Sequence, residues 1–332
     1  STTIHTGTFL LSRRRDTVVG QNIEAVAVLT LTTALALAVL AKGVGVMFGL
    51  DDTISVADFV VISLVAAVLA SFVLLGFTLG LAAGSVRFGW DMDNVTAPVV
   101  TAAGDMVTLP ALFAATALVG VDVFTPVFAS VLALISLAAL ALTIRAGLPL
   151  VRRIVFESLP IVLLGGILSL VAGLSIEKRL ESFATFPVLL VLVPPFLASA
   201  GALGGILSSR LSSKLHLGIV EPDNTPGAEA RRDIALTFVL ALPIFVLASM
   251  VADVVAEVFD LASPGPVRIL YVSLIGGSIA TVCAVAVAYY GGIASYRLGL
   301  DPDTYGIPLV TSTLDLVGAI ALITAVVVVG IG

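Results

Sequence analysis

Ser85-Val-Arg-Phe-Gly-Trp-Asp91-Met-Asp93-Asn-Val-Thr-Ala-Pro98-Val-Val-Thr101-Ala-Ala-Gly-Asp105 returns later in the same chain as Ser295-Tyr-Arg-Leu-Gly-Leu-Asp301-Pro-Asp303-Thr-Tyr-Gly-Ile-Pro308-Leu-Val-Thr311-Ser-Thr-Leu-Asp315. Without a gap, the Ser, Arg, Gly, both early Asp, Pro, Val, Thr and final Asp coincide. A match of this kind marks an internal repeat. In each copy a polar break leads into an apolar stretch that carries one aspartate well inside it. A second match pairs Ser1-Thr-Thr-Ile-His5-Thr-Gly7 with Ser212-Ser-Lys-Leu-His216-Leu-Gly218, so both histidines occupy one repeated loop position.

Around these segments the chain is extremely apolar. Hydrophobic residues make up 59% of its 332 residues and charged ones 11%, with a mean hydropathy of +1.19. Soluble domains average roughly 45–50% apolar and about 25% charged, which excludes a soluble fold. Cys283 stands alone in an apolar run, so neither a disulfide nor a cysteine metal site is supported. Two histidines are too few for a zinc cluster, and a net charge of −6 leaves no nucleic-acid footprint.

Apolar runs separated by Pro, Gly and charge clusters predict nine membrane-spanning helices, near 22–48, 57–84, 97–120, 125–146, 154–175, 186–208, 234–258, 267–294 and 307–331. The runs are too long for barrel strands and lack their period of two. Alternating loops then collect Arg13, Arg14, Arg15, Arg87, Arg145, Arg152, Arg153, Arg210, Lys214, Arg231, Arg232 and Arg297 on one side. The other side holds only Lys42, Lys178, Arg179 and Arg268. The positive-inside rule makes the first side cytoplasmic and the protein a multi-pass cell-membrane protein.

The repeat sets the expected organisation. Two spans, 154–175 and 186–208, precede the His216 loop, whereas its match begins at Ser1. The first copy is therefore expected to be shortened by two helices. Span 125–146 belongs to neither copy and supplies the crossing that lets the two lie parallel. The expected architecture is all-α: residues 1–122 hold the last three helices of one repeat, 123–150 a linking helix and 151–332 a complete five-helix repeat. Parallel repeats share a pseudo-two-fold axis along the membrane normal.

Asp105 and Asp315 are the residues that point to chemistry. An Asp at mid-depth costs roughly 2.5–3.5 kcal/mol on insertion scales, so it usually faces a bundle interior or a watery path. A parallel pseudo-two-fold would turn both carboxylates toward one central path for a divalent cation. Thr101 and Thr311 stand one turn earlier on the same faces. Pro98 and Pro308 are expected in the first turn, setting how the chain enters each helix. The acids Asp91, Asp93, Asp301 and Asp303 fit a cytoplasmic mouth that gathers cations, and equally a solvated cluster favouring the helix dipole. Arg87 and Arg297 read as interface anchors. Hard oxygen ligands suit Mg²⁺, Ca²⁺ or Mn²⁺, and Mg²⁺ is commonly held by one or two carboxylates plus waters. The competing reading is that each Asp simply accepts hydrogen bonds between helices. Pro194-Pro195 and the small residues Ser199 to Gly205 are expected to break span 186–208, either lining a cavity or allowing close packing.

Asp301-Pro-Asp-Thr-Tyr-Gly-Ile-Pro308-Leu-Val-Thr-Ser-Thr-Leu-Asp315-Leu-Val-Gly318 resembles the final helix of the MgtE magnesium transporter family. The fused arrangement is similar to the eukaryotic solute-carrier relatives of that family, in which one chain replaces a dimer. The resemblance implies a Mg²⁺-selective pore with Asp105 and Asp315 as ion ligands and the backbone carbonyls of Thr101 and Thr311 beside them. Gly201-Ala202 stands where the family has Gly-Asn, and no stretch of the chain resembles the family's cytoplasmic regulatory domains.

The function expected is therefore Mg²⁺ transport, with Mn²⁺ and Co²⁺ as competing ions, by a single pseudo-dimeric chain that needs no obligate homodimer. The partners are the ion and the lipid bilayer, with no prosthetic group, and the protein is not expected to be an enzyme. Exchange against Na⁺ or H⁺ is the alternative. An intramembrane aspartic protease would also use two aspartates, but there they stand in two different contexts, and here they match each other.

Overall fold

The computed structural model describes residues 18–49, 54–88, 92–145, 149–179, 183, 185–298 and 307–331. Among the described residues there is no strand, and the chain forms nine long helices: α1 (Val18–Met47), α2 (Val56–Phe88), α3 (Met92–Thr116), α4 (Phe124–Arg145), α5 (Pro149–Glu177), α6 (Val188–His216), α7 (Ala228–Val258), α8 (Pro266–Arg297) and α9 (Ile307–Val329). Eight are long and apolar enough to cross a membrane, and α3 contributes the apolar stretch Met106–Thr116. The protein is a polytopic membrane helix bundle.

Local sequence sets the helix ends. At the start of α2, Ser55 Oγ accepts the Asp58 N–H at 3.1 Å while Asp58 Oδ2 accepts the Ser55 N–H at 3.1 Å. This reciprocal pair satisfies two donors that the first turn leaves open. After α6, Gly218 takes φ +69, which an L side chain resists. It lets its own N–H reach the Leu215 carbonyl at 3.2 Å and the Ile219 N–H reach the Lys214 carbonyl at 2.9 Å, a Schellman motif. Gly218 of the His216 loop is thus a helix stop.

Contacts divide the chain into two units, residues 1–163 and 164–332, with the dividing point inside α5. In the first unit α2 is central and packs on α1, α3 and α4. Ala34, Ala38, Val60, Val61, Leu64 and Ala129 form its largest core, and Ser63 Oγ donates to the Ala34 carbonyl at 2.9 Å.

In the second unit α6 and α8 are central: α6 packs on α7, α8 and α9, and α8 on α7 and α9. Two rings set the core. Phe196 of α6 and Phe245 of α7 lie 5.0 Å apart, tilted by 44°, over Gly276 and Gly277 of α8. A Cβ on Gly276 would stand 3.1 Å from Phe196 Cζ, so the glycine pair is the floor that admits both rings. The expected break at Pro194-Pro195 is absent, because α6 runs unbroken through both prolines. Its small residues serve close packing instead: a Cβ on Gly204 would run into Leu314 Cδ1 of α9.

Charge gathers where α6 ends and α7 begins. Asp233, 3% exposed, sits between Arg210, whose Nη2 is 2.9 Å from Oδ1, and Lys214, whose Nζ is 2.6 Å from Oδ2. The lysine contact is off the hydrogen-bonding angle and acts as an ion pair. Arg297 Nη2 donates to the Pro222 carbonyl at 2.6 Å and the Tyr289 hydroxyl to the Asp223 carbonyl at 2.9 Å, tying the α6–α7 loop to α8. Arg297 is therefore a loop tether.

Candidate functional site

Asp315 stands two turns inside α9, between an apolar first turn and the valine-rich end of the helix. α9 packs along α8 and α6, and α5 touches it locally near Asp315. Toward α6, Leu314 fills the space above Gly204, and a Cβ on Gly318 would come within 2.9 Å of Leu197 Cδ2. Toward α5, Ser312 lies against Gly165, where a Cβ would stand 2.6 Å from Ser312 Oγ and 3.2 Å from Ser312 Cβ. Gly165 lets α5 and α9 approach this closely.

One turn along α5 from Gly165, Ser169 occupies the same face. Its Oγ donates to Asp315 Oδ2 at 2.9 Å, a charge-assisted bond when the carboxylate is ionised. Both side chains are half-buried. Within apolar surroundings such a bond both stabilises the carboxylate and fixes where its oxygens lie. Thr311, one turn before Asp315, donates its hydroxyl to the Pro308 carbonyl at 3.1 Å. Pro308 stands in the first turn of α9, as the sequence predicts.

The first copy is described less fully. Pro98, Thr101 and Asp105 lie on α3, together with Asp93, but their side chains fall outside the described residues. Because α3 already begins at Met92, Pro98 stands beyond its first turn, unlike Pro308. Near Asp105, a Cβ on Gly104 would lie 3.9 Å from Leu74 Cδ1, an ordinary contact with α2, and Thr108 Oγ1 donates to the Gly104 carbonyl at 2.7 Å. Asp91, Asp301 and Asp303 lie outside the described residues.

Gly165 and Ser169 are absent from the sequence-based candidates. The available signal was the small-residue spacing Gly165-x-x-x-Ser169 within an otherwise apolar span, which favours close helix approach. What faces those residues follows only from packing. Among the described residues, no three of His, Cys, Asp or Glu gather as a metal cage. One carboxylate per site is the kind of donor that suits an ion keeping most of its water.

The MgtE family, described as "Divalent cation transporter", matches residues 1–115 and 193–325, two regions that include Asp105 and Asp315. Solute carrier family 41 member 3 of Mus musculus is 26% identical, over 96% of this chain and 68% of its own length. The Rattus norvegicus protein of the same name is 25% identical, over 96% of this chain and 72% of its own length. No solved structure matches. The chain belongs to the MgtE family of divalent cation transporters.

Proposed function

We propose that the protein carries Mg²⁺ across the cell membrane along a path to which two repeat-related carboxylates, Asp105 and Asp315, each contribute. The observation that carries this reading is Asp315 itself. It is an ionisable side chain in the middle of an apolar span, half-buried and oriented by Ser169, in a divalent cation transporter. Intramembrane carboxylates are costly and mark ion paths. The sequence repeat extends the role to Asp105, and Thr101 and Thr311 offer backbone oxygens one turn away.

Residues 1–122 and 151–332 are the two copies in this reading, joined by the crossing at 123–150. The helix pairings support it: α1 packs on α2 and α2 on α3 in the first unit, and α7 on α8 and α8 on α9 in the second. The arginine-rich loops are cytoplasmic, and Asp91, Asp93, Asp301 and Asp303, at or just before the starts of α3 and α9, gather cations there. Two charges moving inward through about 100 mV gain roughly 4.6 kcal/mol, so inward flow needs no further energy source.

The test is Mg²⁺ flux into liposomes containing the full-length protein, with Asp105→Asn and Asp315→Asn. Both variants are expected to fold and to lose flux, with Mn²⁺ and Co²⁺ competing in the wild type. Wild-type flux in both variants would sink the proposal. Flux that requires an opposing Na⁺ or H⁺ gradient would replace the channel-like reading with exchange.

A further inference from the structure

We infer that Ser169 is a positioning residue for the Asp315 carboxylate and thereby sets how tightly the path holds a divalent cation. The inference rests on the reading of Asp315 as an ion-path residue.

The hydroxyl of Ser169 differs from those of Ser63 and Ser273, which also reach another helix, in that its acceptor is a carboxylate and not a backbone carbonyl. A serine inside a membrane helix ordinarily donates to the carbonyl one turn back on its own helix. Ser130, Ser136, Ser175, Ser199 and Ser278 all do so, to Pro126, Leu132, Val171, Pro195 and Leu274 at 2.6–2.9 Å. Ser169 instead reaches across to α9 and donates to Asp315 Oδ2 at 2.9 Å. The backbone is arranged to permit this, because Gly165 one turn earlier removes the Cβ that would hold Ser312, and α9 with it, away from α5.

The chemistry gives the contact a purpose beyond joining two helices. An ionised carboxylate offers about four lone-pair positions, of which Ser169 occupies one on Oδ2. A hydrated cation binding this carboxylate would meet a group whose Oδ2 is already held in one orientation by Ser169. A carboxylate already held in place loses less rotamer freedom when the ion arrives. Hydrogen-bond partners behind a metal-binding carboxylate raise metal affinity by roughly 10–100-fold where they have been removed and measured. A serine that only bridged two helices would affect how much protein folds, and would leave the concentration dependence of transport alone.

The experiment measures the Mg²⁺ concentration dependence of flux for the full-length protein in liposomes, with Ser169→Ala, Ser169→Cys, Ser169→Thr and Asp315→Asn. Cysteine leaves no cavity, being slightly larger than serine, but donates weakly, and threonine keeps the hydroxyl. The expected result is a KM for Mg²⁺ raised about tenfold or more by Ala and Cys, with maximal flux per folded protein retained and Thr close to wild type. If Ser169→Ala unfolds, Ser169→Cys carries the comparison. An unchanged KM in Ser169→Cys, or a fall in maximal flux alone, overturns the inference. If Asp315→Asn is impaired while Ser169→Cys is normal, only the role of Ser169 fails. If Asp315→Asn transports normally, the ion-path reading of Asp315 fails, and this inference with it.

Discussion

Gly277→Ala tests the packing that holds the second unit together. The added Cβ would collide with Cγ and Cδ2 of the Phe245 ring and lie 2.8 Å from its Cε2. Carbon–carbon contacts are comfortable at about 3.5–4.0 Å, so the ring must retreat by about 1 Å. It has little room to do so. Phe196 lies 5.0 Å behind it and is itself seated on Gly276, and the Phe245 carbonyl accepts a buried hydrogen bond from Ser273 Oγ at 2.7 Å. Overpacking of this kind costs about 1–3 kcal/mol. Replacing glycine by alanine inside a helix returns up to about 1 kcal/mol. The net expectation is a destabilisation of about 1–2 kcal/mol, read as a Tm several degrees lower in detergent-solubilised protein. Gly173→Ala is the control, since nothing lies within 4 Å of its added Cβ, and it is expected to melt at or slightly above wild type. Phe245→Leu added to Gly277→Ala should recover part of the loss. A Gly277→Ala protein that melts at or above wild type would refute the argument that the glycine pair exists to seat the two rings.

Asp233→Ala is expected to cost about 1–2 kcal/mol in chemical or thermal unfolding. It removes a buried carboxylate shared by two cations, yet Arg210 and Lys214, at 49% and 22% exposed, keep access to water, which holds the cost below that of a fully buried pair. Arg232→Ala, in which a 77% exposed cation loses its Glu229 partner, should change stability by less than about 0.5 kcal/mol; equal effects would remove the distinction. Tyr289→Phe and Arg297→Ala should speed hydrogen exchange across residues 217–227 several-fold while leaving the α6 interior unchanged. Gly165→Val should separate α5 from α9 and raise the KM for Mg²⁺ in the same direction as Ser169→Cys, whereas Gly201→Ala, with no atom near its added Cβ, should not.

The helices were legible because lipid imposes so strict a pattern, and each expected span overlaps one observed helix, although span 97–120 runs past the end of α3 at Thr116. The ends were less so. Span 186–208 is part of a helix that continues to His216, and span 234–258 begins at Ala228. Hydropathy stops at Arg210, Lys214, Arg231 and Arg232, but backbone hydrogen bonding does not, because these side chains support a helix as well in water as leucine does in lipid. Pro194-Pro195 was read as a break and proved tolerable within a helix packed by neighbours on several sides. Asp315 stood out from one chain alone, since a charge in an apolar run is conspicuous. Ser169 did not, because a serine in a membrane helix is common and the carboxylate that distinguishes it is far away in sequence.

Leu314, fully buried, occupies the hollow that Gly204 leaves on α6. A side chain lodged in this way acts as a detent. Small glides or rolls of α9 along α6 are blocked, because each would lift Leu314 onto backbone before it found another hollow, and packed interiors do not yield gradually. Asp315 is the next residue. A movement of α9 that displaces this carboxylate must therefore either carry α6 along or advance in a discrete jump of about one helical turn.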